Sequence, residues 1–146
     1  MTLGAWHEEA LRRFPQFAES LSDADSPYLV WIELQMEFER AYDHGDYALI
    51  AAIYAYAGWC GRQVPGKAAE DDLGTCVATC FFEHIPAHPK AMNDMPRWWT
   101  LEQVVYMKQL FSYIVGDEGY AKILERFATA TRDNDVEKYR PWMDEG

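Results

Sequence analysis

Basic residues are scarce. Lysine and arginine number 13 against 24 aspartates and glutamates, for a net charge of −11. A surface so biased repels the phosphates of nucleic acid, so nonspecific nucleic-acid binding is not expected. Catalytic signatures are missing as well. The chain carries no nucleophile elbow, P-loop, dinucleotide fingerprint or zinc-protease motif, and no enzyme class or cofactor is indicated. Cysteine is limited to Cys60, Cys76 and Cys80, without a CxxC pair. An odd, sparse set in a chain of 146 residues does not make a disulfide framework. The segment Met1–Glu9 lacks a basic region followed by an apolar run, so no secretory signal is expected. A reducing cytoplasm is the expected location. No strand alternation and no repeat of fixed period is visible.

What is present is a core-forming chain, 49% hydrophobic and 15% aromatic. Its organising stretch is Tyr47–Cys60, which holds no charged side chain. A helix apolar all round is covered on most sides by protein. It falls short of the roughly 20 apolar residues that cross a bilayer, so no membrane association is expected. Asp46 caps its start and Gly61 marks its end. The preceding helix has serine at its N-cap (Ser26), proline at its first position (Pro27) and a stop at Gly45. With so short a link, the two helices must be antiparallel neighbours.

On either side of this hairpin the spacing predicts further helices. One ends near Arg13, with a second short turn from Pro15. Another runs from about Ala69 to Ile85 and stops before Pro86. A capping box at Thr100–Gln103 opens a helix to Val115, and a last helix spans about Glu118–Thr131. Pro86–Trp99 reads as a long irregular stretch. The expectation is an all-α single domain of residues 1–132, about six antiparallel helices packed around Asp46–Cys60, with a polar tail at 133–146. A short solenoid-like stack of helix hairpins is the alternative.

Residues 26–85 resemble a family of small bacterial helical proteins, the DUF7674-type domain. The resemblance rests on Ser26-Pro27-Tyr28-Leu29, the aromatic-rich helix after it, Gly45-Asp46, and the run Asp72–Ile85 that closes on Cys80-Phe81-Phe82-Glu83-His84-Ile85. It implies an all-helical fold and brings no catalytic residues. At Cys80 the family pattern has a small residue, which implies close helix packing there.

Four constellations could carry function. Met92, Met95, Trp98 and Trp99 cluster in the irregular stretch. They are either exposed anchors for a protein partner or a lid folded over the helix ends. Gln35 and Glu39 interrupt an apolar arc as i, i+4 neighbours; they line a groove, bond to tyrosine hydroxyls or sit at a rim. Cys76, Cys80 and His84 have i, i+4, i+8 spacing that could hold a metal, with Cys60 and His88 as further ligands, against a reading as small buried core residues. Glu33, Glu37, Arg40 and His44 form one stripe, read as the solvated face and not as a carboxylate–imidazole site. These features favour a non-catalytic protein-interaction module, such as an acidic immunity or antitoxin-type inhibitor of a basic partner. The alternatives are a small-ligand or metal-binding helical module and a self-associating homodimer.

Overall fold

In a computed structural model the described residues are 4–63 and 72–133. They form an all-α structure without a strand. Ten α-helices are present among them, where the sequence suggests about six: α1 Ala5–Arg13, α2 Ala18–Ser22, α3 Pro27–His44, α4 Tyr47–Gly61, α5 Leu73–Cys80, α6 Pro89–Asn93, α7 Met95–Trp98, α8 Leu101–Tyr106, α9 Lys108–Ser112 and α10 Gly116–Asp133. The expected loop through Pro65 and Gly66, the helix start near Ala69 and the tail 134–146 lie outside the described residues.

The long helices sit where local chemistry puts them. Ser26 Oγ accepts from the Leu29 N–H and Pro27 occupies the first position of α3. Gly45 ends α3 at φ 73°, a left-handed conformation that a Cβ disfavours. Asp46 then caps α4 through the Leu49 N–H. From Leu49 to Cys60 no side chain of α4 is exposed, as a helix apolar all round requires.

The added helices have identifiable causes. Residues expected to continue α5 tighten into a 3-10 segment, Phe82–Ala87. Pro86 has no N–H, and in an α-helix its ring would meet the Phe82 carbonyl, so the chain breaks at Phe81. The helix expected over 101–115 is interrupted at Met107. Here the Tyr120 hydroxyl donates to the Val104 carbonyl at 3.2 Å, the group an unbroken helix would offer to the Lys108 N–H. The stretch expected to be irregular, Pro86–Trp99, contains α6 and α7, each about one turn long. Helices this short persist only when tertiary contacts hold them.

α3 touches α1, α2, α4, α5 and α6, so these elements share one core instead of stacking as hairpins. A file of aromatic rings crosses that core. Tyr56 stacks on Trp31 at 5.3 Å and Trp31 on Phe81 at 5.1 Å. Phe81 meets Tyr54 edge-on at 5.4 Å, Tyr54 reaches Trp99, and Trp99 meets Phe111 at 5.1 Å. The file joins α3, α4, the turn after α5, the segment after α7 and α9. No described helix is long and apolar enough to cross a membrane.

Candidate functional site

α3 presents two faces. Val30, Trp31, Leu34, Phe38 and Ala41 are buried on one. On the other, Leu29, Ile32 and Met36 are 45%, 49% and 43% exposed. Their spacing is i, i+3, i+7, so they form one stripe along two turns. The charged stripe expected to be the solvated face is exposed at Arg40 and His44 but not at Glu33 and Glu37. Glu33 and Glu37 are half-buried at the margin of the apolar stripe, and Glu37 pairs with Arg40. His44 Nδ1 lies 2.8 Å from the Arg40 carbonyl oxygen and is spent on the helix end. The apolar stripe is bordered by Glu33 and Glu39, with Asp25 and Asp43 exposed beyond its ends. A second exposed apolar group lies on α8, where Leu101, Val105 and Tyr106 face outward.

Of the two readings of the Trp98-Trp99 stretch, the coordinates carry the lid. Met95, Trp98 and Trp99 are buried, at 0%, 3% and 0% exposure, and Met92 is half-buried. Met95, Trp98 and Trp99 are unavailable as surface anchors because they close the core. Trp98 stacks on Tyr54 at 4.5 Å, and Trp99 Nε1 donates to the Tyr54 hydroxyl at 3.1 Å.

Asp94 fastens this lid. It accepts from the Tyr42 hydroxyl at 2.6 Å and from Trp98 Nε1 at 3.1 Å, and Arg97 Nε lies 3.3 Å from its other oxygen. Nearby, His88 Nε2 lies 3.1 Å from Asp43 Oδ1, and Arg126 Nε of α10 donates to the Asn93 carbonyl at 2.7 Å. Burial, reinforced by Tyr54 and the Asp94 carboxylate, holds the Tyr42 hydroxyl well above the ordinary tyrosine range. It is a hydrogen-bond donor here and a poor acid. Asp94→Ala removes the acceptor of the Tyr42 hydroxyl and one acceptor of the Trp98 indole, and a buried donor left unsatisfied costs about 1–3 kcal/mol. The expected result in urea unfolding is a loss of about 2–4 kcal/mol, with Asp94→Asn losing less; a change below about 0.5 kcal/mol would refute the latch.

The cysteines and histidines do not assemble a metal site. Among the described residues no three side chains of His, Cys, Asp or Glu converge on a metal position. The break at Phe81 takes His84 out of the i, i+4, i+8 register with Cys76 and Cys80. His88 caps α6 through the Ala91 N–H and faces Asp43. Cys76 and Cys60 are buried. Burial pushes the Cys60 thiol up to about 12, against partial relief from the Tyr56 hydroxyl and the Trp31 indole. Trp31 Nε1 makes no hydrogen bond of ordinary length.

Gln35 is 8% exposed, and its Oε1 has no hydrogen-bond partner. Such an orphaned acceptor costs about 1–3 kcal/mol. Glu39, one turn on, is half-buried beside the exposed stripe. Neither bonds to a tyrosine hydroxyl among the described contacts: Tyr42 turns to Asp94, Tyr54 to Trp99, and Tyr56 donates to the Trp6 carbonyl at 2.8 Å. A cleft of about 500 Å³ lies between the 3-10 segment and the start of α10, lined by Pro86, Met92, Val115, Glu118 and Lys122 among others.

The Leu29–Ile32–Met36 stripe carries a signal in its i, i+3, i+7 spacing, but the acidic residues beside it mask that signal in the sequence. No such signal marks Asp94, whose partner Tyr42 lies 52 residues away. Comparison of the chain with family models, with curated proteins and with solved structures finds no match.

Proposed function

We propose that this protein is a non-catalytic interaction module whose partner is a basic protein, in the manner of an acidic immunity or antitoxin-type inhibitor acting in the cytoplasm. The observation that carries this reading is the apolar stripe of α3 set in an acidic border. Half-exposed Leu29, Ile32 and Met36 offer surface that gains by burial. The charge of −11 steers a cationic protein towards it and holds anionic ones off.

The test is purification of the intact protein from its native cells at low salt and at about 0.5 M salt, where charge steering is largely screened. A stoichiometric basic protein is expected at low salt, with recovery reduced at least tenfold at high salt. Recovery of no partner at either salt, or of an acidic one retained at both, would overturn the proposal.

A further inference from the structure

The occupant of the α3 face can be named by its chemistry. We infer that Leu29, Ile32 and Met36 dock one face of a basic amphipathic helix, belonging to the partner, laid along α3. This inference rests on the partner-binding reading above and narrows it to one surface and one kind of segment.

Three observations support a helix. The stripe runs straight for seven residues, about 10 Å at the helical rise, and matches the i, i+3/i+4, i+7 anchors of a second helix. Strand addition has no foothold there, because every backbone group in the middle of α3 is committed to its own helix. The ridge is also preorganised. Its N-terminus is capped by Ser26, its C-terminus ends in the left-handed Gly45, and its opposite face is buried on Trp31, Leu34 and Phe38. Binding therefore costs little ordering on this side.

Charge decides among helices. Glu33 and Glu39 flank the stripe and Asp25 and Asp43 lie beyond its ends, while Arg40, paired with Glu37 yet 63% exposed, follows Met36 by one turn and would meet an acidic residue of the partner. Asp43 remains mostly exposed although His88 lies 3.1 Å away. Lysines and arginines on either side of an apolar stripe would meet these carboxylates as coiled-coil flanking positions do. A second copy of this chain is disfavoured, because two-fold pairing of α3 on α3 sets the same carboxylates against one another. Anionic lipid is disfavoured for the same reason.

The experiment places a photo-crosslinking phenylalanine derivative at Ile32 and, in a separate protein, at Tyr106 on α8, with the full chain irradiated in its native cells. Crosslinks are expected from position 32 to a segment with apolar residues at helical spacing flanked by Lys or Arg. Yield should fall at least fivefold when Glu33→Lys and Glu39→Lys are introduced into a variant whose circular dichroism is unchanged. Crosslinks from position 106 alone would overturn the α3 site while leaving the partner-binding function standing. Crosslinks from 32 to another copy of the chain, or to an acidic segment, would overturn the basic-helix occupant. Absence of crosslinks from both positions, with no partner recovered on purification, would remove both proposals.

Discussion

Trp99→Ala is expected to lower the unfolding free energy by about 3–5 kcal/mol, the range for truncating a fully buried large aromatic. Trp99 follows a four-residue helix, which would be marginal in isolation. Yet its ring is completely buried and meets Phe82 at 4.9 Å and Phe111 at 5.1 Å, both edge-on. These geometries add to the area term. Its indole N–H is satisfied by the Tyr54 hydroxyl, itself buried in α4. Truncation therefore opens a cavity and removes a hydrogen bond to the buried Tyr54 hydroxyl. In urea the midpoint should fall with the slope preserved, the signature of lost stability in an unchanged fold. Tyr54→Phe should cost about 1–2 kcal/mol by removing the hydroxyl that accepts from the Trp99 indole N–H. Had the tryptophan pair been an exposed anchor, Trp99→Ala would leave stability within about 0.5 kcal/mol of the parent. That result would refute the lid and return Trp99 to the surface.

The tryptophan pair shows which parts of the structure the sequence encodes locally. Ser26, Asp46 and Thr100 each accept from an N–H three residues on, so these caps and the helix starts behind them are legible from neighbouring letters. The all-helical class follows from the same period. The short helices are not legible in this way. α6 and α7 exist because Asp94 reaches Tyr42 and Trp98 lies on Tyr54, contacts between residues more than 40 positions apart. The break at Met107 depends on Tyr120, which only the folded α10 brings to Val104. Pro86 announced a helix end, but it acts earlier than expected by tightening the turns before it. At the candidate site the obstacle was different. Of the charged stripe expected to be the solvated face, Arg40 and His44 are exposed, whereas Glu33 and Glu37 are half-buried at the margin of the apolar stripe. The exposed residues of that apolar stripe contradict simple partition, and that contradiction is what marks the face for binding.

Stability should collapse on the alkaline side, and this is the second large effect. Burial raises Cys60 from its ordinary value of 9.0 to about 12. It also raises Tyr42, Tyr54 and Tyr56 well above the ordinary 10.0. In each case the folded chain holds a proton that the unfolded chain releases at lower pH. The unfolded state then binds fewer protons, and unfolding free energy falls as pH rises. Below the ordinary values both states are protonated and this effect is absent. From about pH 9 upward Cys60 alone removes about 1.4 kcal/mol per pH unit. From about pH 10 three tyrosines add to it, for a slope of about 5 kcal/mol per unit. A domain stable by about 5–15 kcal/mol is exhausted within one to three further units. Cooperative unfolding is therefore expected at about pH 11–13. The tyrosinate absorbance of the buried rings should appear together with loss of near-ultraviolet circular dichroism. In Cys60→Ala the decline between about pH 9 and 10 should flatten, although neutral stability drops from lost packing. Ionisation of the full set of tyrosines near pH 10 with the dichroism intact would show that the rings of the core file are open to water, and would contradict the burial on which both this prediction and the Trp99 result depend.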